Sequence, residues 1–183
     1  MEAFWRQEPG MTDARLNEIL ISRGIRGLLL FPFADPRSQL KLDWDEFATV
    51  ALGFSIRGKA HDRVASDHYQ AMRCAVQSCH ERGYKRIGLA LQQHMADRVN
   101  GRWLAGYIVG LGKVQAEPEQ RVLIIPEWND DALLKWYQRE NPDVIITCSP
   151  EELLAWASRA RLRVPEDLGI VSLNKSVGAD EHS

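Results

Sequence analysis

A cluster of hydrogen-bonding side chains follows one short hydrophobic run near the middle of the chain. The run, "RIGLAL" at Arg86 to Leu91, is typical of a buried strand, and Arg98, Asn100 and Arg102 come shortly after it. Arginine offers a rigid fork of N–H donors, and asparagine both donates and accepts hydrogen bonds. A polar loop at the carboxyl end of a buried strand is where α/β proteins hold ligands. The stretch therefore predicts binding chemistry.

Catalysis and metal binding have no comparable support. The sequence "GLGK" at Gly110 to Lys113 resembles the end of a phosphate loop, but Val114 stands where serine or threonine is required. The chain has no GxSxG elbow, no GxGxxG after a strand and no HExxH, and its three cysteines form no CxxC pair. We predict no catalytic residue, no metal ligand and no cofactor.

Charge and hydropathy narrow the class of protein further. The 183 residues carry a net charge of -2, and the basic residues are scattered, which argues against a nucleic-acid clamp within the chain itself. No apolar run approaches the roughly 20 residues of a membrane span, and the amino end lacks the pattern of a signal peptide. These features predict a soluble, cytoplasmic protein of one domain or two small lobes.

The first third of the chain predicts one helix and at least one strand. Apolar residues recur at helical spacing between the capping Thr12 and the stop at Gly24. The run Gly27 to Phe31, closed by Pro32, is expected to be a parallel strand covered on both faces. The apolar stretch from Phe47 to Ile56 fits either a strand or a helix.

From Asp67 onward, helices and strands are predicted to alternate. Asp67 caps a helix that Gly83 ends, and "RIGLAL", a polar loop and a second amphipathic helix follow. Further helices and strands continue the pattern, with strands expected at Val122 to Ile125, Asp143 to Cys148 and Ile170 to Leu173. Such alternation predicts an α/β fold with parallel sheets flanked by helices.

Three phrases, in order and spacing, resemble a known family. They are "LNEILISRGIRGLLLFPF" at Leu16 to Phe33, "VASDHYQAMRCAVQSCHERGYKRIGLAL" at Val64 to Leu91 and "PDVIITCSPEELLAWASRARLRVPEDLGIVSLN" at Pro142 to Asn174. The set is similar to the effector-binding core of lac-repressor-type (LacI/GalR) transcription regulators and spans about Arg15 to Asn174. The resemblance implies a two-lobed, periplasmic-binding-protein-like (type I) fold with a small effector, such as a sugar, between the lobes.

The resemblance also implies how the chain is divided into lobes and which partners it binds. Residues 1–62 would belong to the amino-terminal lobe, 63–174 to the carboxy-terminal lobe, with Val64 to Ser66 as the first crossover, and 175–183 to a polar tail leading towards the second crossover. Family members are homodimers that bind operator DNA through a helix-turn-helix domain. Because no segment here matches that domain or the return to the first lobe, we expect an incomplete core, truncated at both ends.

Carried over position by position, the resemblance implies a set of ligand-binding residues with several departures. His68 follows Asp67 where the family commonly has asparagine, and Trp103 stands where the family has the ligand-binding arginine, with Arg102 one place earlier. A turn with a carboxylate is replaced by "CSP", and Asn174 replaces an aspartate. The predicted ligand-binding set is Asp67, His68, Arg98, Arg102, Trp103, Trp128, Ser149, Asn174 and Phe33.

Several of these residues also have a purely structural interpretation. Asp67 suits a helix cap, Arg98 and Arg102 suit solvated loop charges, and Trp103 suits the core as well as a stacking platform. At the level of function, the alternative is a solute-binding protein of an ABC transporter, which shares the fold. A nucleotide-using α/β enzyme is a third possibility.

Overall fold

The computed structural model describes residues 2–6, 8–33, 39–56, 62–112 and 118–174. The chain divides into two compact units, Met1–Ser66 and Asp67–Ser183, which are taken separately below. The assignment of residues 1–62 and 63–174 to the lobes of a regulator stays a prediction. The polar tail at 175–183 lies outside the described residues.

The first unit is a parallel sheet with a helix. Helix α1 begins after Thr12, whose hydroxyl accepts the Arg15 amide at 3.1 Å, and the turn after it contains Gly24 at φ +67°. The sequence of Phe47 to Ile56 fits either a strand or a helix, and the structure shows that this stretch contains a strand. The elements are α1 (Asp13–Ser22), β1 (Gly27–Leu30), a 3-10 turn (Trp44–Glu46), β2 (Ala48–Leu52) and β3 (Asp62–Val64), with strand order β1-β2-β3.

Only one face of strand β1 is well covered. Leu28 and Leu30 point to the side that packs against α1 and Ala51. Leu29 and Phe31 point the other way and are 45% and 61% exposed. The prediction that this strand is covered on both faces is therefore wrong, because an apolar run does not show which alternate side chains find a partner.

The second unit is a four-stranded parallel sheet with helices on both faces. The strand order is β5-β4-β6-β7, so the predicted α/β architecture with parallel sheets is confirmed. The strands are β4 (Ile87–Gln92), β5 (Val122–Ile125), β6 (Val144–Thr147) and β7 (Gly169–Ser172). The helices are α2 (His68–Glu81), α3 (Gln93–Arg98), α4 (Arg102–Leu111), α5 (Asp130–Glu140) and α6 (Pro150–Arg159), with a 3-10 turn at Pro118–Arg121.

Alternate residues of the central strands supply two separate cores. Ile87, Leu89 and Leu91 of β4 join the cluster under α2 and α4, whereas Ala90 joins the cluster under α5 and α6. Both clusters contain large aromatic residues that are almost fully buried, Trp103 in the first and Trp136 in the second. The sheet is covered on both faces, which explains why β4 is a continuous apolar run.

The polar loop predicted after β4 is instead the short helix α3. Ala96 and Val99 are buried three residues apart and Met95 is partly buried, so this segment presents an apolar side to the core under α2 and α4. The helix ends where the Gly101 amide donates to the Ala96 carbonyl at 3.0 Å. The loop prediction was wrong because the polar residues of the segment outnumber its apolar ones.

Helices α2 and α4 approach each other very closely. A Cβ atom at Gly106 would lie 2.5 Å from the Tyr69 carbonyl oxygen and 2.9 Å from the Met72 Cβ. Four residues on, a Cβ atom at Gly110 would meet Val76 at 3.2 Å. The contact therefore depends on the absence of side chains along one stripe of α4. Tyr107, the residue after Gly106, donates its hydroxyl hydrogen to the Ile87 carbonyl at 2.7 Å and so ties α4 to the sheet.

No helix among the described residues is both long and apolar enough to cross a membrane.

The close contact predicts that Gly106→Ala destabilises the fold. Alanine is the better helix former by about 1 kcal/mol, but overpacking costs roughly 1–3 kcal/mol and should prevail because a backbone carbonyl cannot move aside cheaply. Urea unfolding followed by circular dichroism measures the difference. Val109→Ala, at a position 53% exposed on the same helix, is the control and should change stability little. A Gly106→Ala protein as stable as the parent contradicts the contact.

Candidate ligand-binding site

The polar residues predicted to bind ligand collect mainly at one edge of the four-stranded sheet. In a parallel sheet the strands all end on the same side, here at Gln92, Ile125, Thr147 and Ser172. Helix α2 leads into the amino end of β4, and α4 leads towards the amino end of β5. Both helices therefore begin on the side where the strands end. We call it the carboxyl edge. It is the side on which open α/β sheets bind their ligands.

The first turns of α2 and α4 meet through two aromatic rings. The imidazole of His68 contacts the indole of Trp103 edge-on, with ring centroids 5.3 Å apart and planes at 77°. Trp103 is 3% exposed and belongs to the core, whereas His68 is only partly buried. Trp103 thus supports the histidine and presents no open aromatic face at the edge.

Partial burial, together with the positive charge of Arg102, favours the neutral form of His68. Partial burial lowers the pKa of His68 below 6.5, the positive charge of Arg102 lowers this pKa further, and the carboxylate of Asp67 opposes both. Asp67 is itself engaged, because its Oδ1 accepts the Gln70 amide at 3.0 Å. The predicted capping role of Asp67 is therefore confirmed. At pH 7 the imidazole is therefore mainly in its neutral form, which can donate one hydrogen bond and accept another.

The predicted loop position of Arg98 is wrong, because this residue lies in the last turn of α3. It is partly buried there, and the residue after it, Val99, is in the core. Arg102 is the exposed first residue of α4. The two arginines thus flank the turn between α3 and α4. Of the two, Arg102 is the one whose charge lowers the pKa of His68.

Ser149 and Asn174 lie together at the ends of the adjacent strands β6 and β7. The Asn174 side-chain amide donates to the Cys148 carbonyl at 3.3 Å, and the Ser149 amide donates to the Thr147 hydroxyl at 3.1 Å. Ser149 is buried at the start of α6, while Asn174 is exposed. Burial raises the pKa of the Cys148 thiol, so this cysteine is an unreactive neighbour.

Trp128 lies at the same edge but on the other face of the sheet. It stands between β5 and α5, where the next residue, Asn129, caps α5 by accepting the Ala132 amide at 2.9 Å. Its ring is partly buried against the cluster under α5 and α6. Its indole Nε1 is buried and has no hydrogen-bond partner among the described residues.

Phe33 belongs to the first unit, where it packs against the cluster of Leu30, Ala51 and Ile56. The guanidinium of Arg6 lies 5.0 Å from the centre of its ring. Its predicted part in ligand binding stays a prediction.

The turn between α3 and α4 is a feature of the site that sequence reasoning missed. Asn100 and Gly101 both have positive φ, at +53° and +68°, and together they redirect the chain so that Arg102 starts a new helix. The dipeptide Asn-Gly was a usable signal, because these are the residues that adopt left-handed backbone most readily.

The residues at the carboxyl edge suit hydrogen bonding rather than covalent chemistry. A neutral imidazole, a guanidinium, a hydroxyl and a carboxamide supply donors and acceptors in a small region. Among the described residues, no group of three or more histidines, cysteines or carboxylates could hold a metal ion. The arrangement can recognise a polar small molecule.

A surface hollow at the opposite edge of the same unit offers less chemistry. It measures about 390 Å³ and is lined by Leu154, Ser158 and the residues from Arg161 to Val164, which precede β7. Within this lining, Arg163 is already paired with Asp167, its Nη2 lying 2.6 Å from the carboxylate. Open sheets of this type do not bind ligands on that side.

The fold and the site together define a class of binding domain built on parallel sheets. The family model of the periplasmic binding protein-like domain matches residues 76–183, and the chain belongs to that family. No curated protein matches the chain in sequence.

Several solved structures with the same fold are transcription regulators. A regulatory protein of the LacI family from Chloroflexus aggregans is 25% identical, with a TM-score of 0.63 over 86% of this chain and 60% of that one. The regulator CelR in complex with cellobiose is 24% identical, with a TM-score of 0.65 over 89% and 53%. A PurR family regulator from Vibrio parahaemolyticus is 14% identical, with a TM-score of 0.66 over 95% and 70%.

These comparisons confirm the resemblance to lac-repressor-type effector-binding cores at the level of family and fold. The chain spans about three fifths of the length of several of the regulators that it matches. The family and these structures are those of binding and regulatory domains.

The site geometry predicts the pH response of His68. Its titration midpoint, followed by NMR of the imidazole Cε1 proton, should lie below 6.5, and Arg102→Gln should raise it because a neighbouring positive charge is removed. The stability contributed by this neutral imidazole is full above pH 6.5 and is lost as the pH falls through the lowered pKa of the folded state.

The matched control removes a positive charge from the other face of the sheet. Lys135→Gln, at an exposed position on α5, should leave the midpoint of His68 unchanged. A midpoint that does not respond to Arg102→Gln would show that the guanidinium lies too far from the ring to act on it.

Proposed function

We propose that the chain is the effector-sensing and dimerising core of a sequence-specific DNA-binding transcription regulator. The observation that carries the proposal is the meeting of His68, Trp103 and Arg102 at the carboxyl edge, in a unit of the periplasmic binding protein-like family. The regulators of the same fold, one of them in complex with cellobiose, support it.

The proposed effector is a sugar or a similar polar small molecule. Vicinal hydroxyls both donate and accept hydrogen bonds, and they pair with a neutral imidazole, an arginine fork and a carboxamide. Asp67, Arg98, Ser149 and Asn174 complete the set in the second unit, with Trp128 at the same edge. No cofactor takes part in this proposal.

Effector binding would act on DNA only through a difference in affinity between two states of the protein. A ligand that binds one arrangement of a homodimer more tightly shifts the population towards it. Helix-turn-helix domains joined to the two cores would then change their spacing on operator DNA. A regulator of this kind works in the cytoplasm. A solute-binding protein of an ABC transporter shares the fold, but none of the three structures compared above is such a protein.

A thermal-shift screen of the chain against cellobiose, glucose 6-phosphate, ribose and hypoxanthine tests the proposal. A ligand at about 100 times its Kd stabilises the folded state by about 2.7 kcal/mol. For a chain of this size that corresponds to a rise in Tm of about 5–10 °C. Arg102→Gln should reduce the rise, while Lys135→Gln should not.

Nucleotides serve as the opposing panel in the same screen. If ATP and NAD raise Tm while every sugar, sugar phosphate and purine leaves it unchanged, the nucleotide-using enzyme replaces the regulator as the better account. Binding of an operator fragment by the product of the complete reading frame separates the regulator from the transporter component.

A further inference from the structure

Trp103 occupies an unusual place for a residue in a predicted ligand-binding set. It is the second residue of α4, in the first turn of a helix that begins at the carboxyl edge, yet only 3% of its surface is exposed. It belongs to the core cluster that also contains Val99, Tyr107 and, on α2, Met72. A ligand therefore has no open indole face to stack against.

Trp103 contacts the imidazole ring of His68, and the close packing of α2 against α4 fixes where the two rings meet. Gly106 lets α4 come so close to α2 that a single Cβ would collide with the Tyr69 carbonyl oxygen. The first turns of the two helices cannot slide past each other without breaking this packing. The indole thus meets the imidazole edge-on at a fixed place, with 5.3 Å between ring centroids.

An edge-to-face contact restrains the histidine ring itself. Such aromatic pairs stabilise a structure beyond the area that they bury, so the contact favours one rotamer of His68 over its alternatives. Asp67 caps α2 and Arg102 begins α4, so a negative and a positive group flank the restrained ring. The partly exposed imidazole is the aromatic group of this pair that faces outward.

We propose that Trp103 is a positioning residue that holds the imidazole of His68 at the carboxyl edge, and that His68 and Arg102 together select ligands carrying a hydroxyl beside an anionic or carbonyl oxygen. The hydroxyl bonds to the imidazole, and the oxygen acceptor bonds to the guanidinium. This inference rests on the proposed function for the identity of the site, but the positioning of His68 is independent of any ligand.

NMR of the histidine Cε1 protons in the full chain tests the positioning. The His68 signal, assigned by its loss in His68→Gln, should be displaced by the ring current of Trp103. Trp103→Leu should abolish the displacement, and Trp103→Phe should restore much of it because an aromatic ring returns at this position. His94, exposed on α3, is the internal reference and should stay in place.

A second buried tryptophan provides the matched control for stability. Trp136 is 2% exposed in the core on the other face of the sheet, so Trp136→Leu should lower Tm about as much as Trp103→Leu does. Only Trp103→Leu should move the His68 signal. If both variants move it alike, or if neither does, Trp103 is an ordinary core residue and the proposal is overturned.

Ligand selection is measured with glucose 6-phosphate against cellobiose, one compound with an anionic group and one without. Binding of glucose 6-phosphate should be the tighter, and it should fall at least tenfold in His68→Gln and in Trp103→Leu but not in Trp136→Leu. Tighter binding of cellobiose overturns the selection. If neither compound binds, the selection is overturned together with the proposed function, while the NMR result still decides whether Trp103 positions His68.

Discussion

The absence of a side chain at Gly106 is the constraint on which the candidate site depends. Because α4 carries only hydrogen there, its backbone packs directly on the Tyr69 carbonyl and Met72 of α2. Two helices that are far apart in sequence are thereby locked in register above one face of the sheet. Their first turns, which bear His68 and Arg102, arrive at the carboxyl edge as one rigid surface. Binding surfaces placed on such rigid elements hold their geometry better than loops do.

That surface also explains how the chain can depart from the pattern of the family it resembles. A tryptophan at the position of the expected arginine does not turn the site into a stacking platform, because Trp103 is buried. The positive charge remains one residue earlier, at the exposed Arg102, and the aromatic ring works through His68. With tryptophan at this position, the hydrogen-bonding groups at the edge are the guanidinium of Arg102 and the imidazole of His68, which are more exposed than Trp103.

Much of the second unit could be predicted from sequence because its signals are local. The Asp67 cap, the buried run of β4 and the alternation of strands and helices each depend on neighbouring residues. The failures concern partners that are distant in the chain. The coverage of Leu29 and the burial of Trp103 depend on what packs against them from other elements, and α3 forms because its few apolar residues meet a core that the segment itself does not reveal.

The most direct test of the account is to map where a ligand touches the second unit. Cellobiose and glucose 6-phosphate are titrated into the isotopically labelled chain, and amide shifts are followed by two-dimensional NMR. The account predicts that the shifts concentrate at the carboxyl edge, around His68, Arg102 and Asn174. Shifts that concentrate instead on the residues from Arg161 to Val164, at the opposite edge, would contradict it.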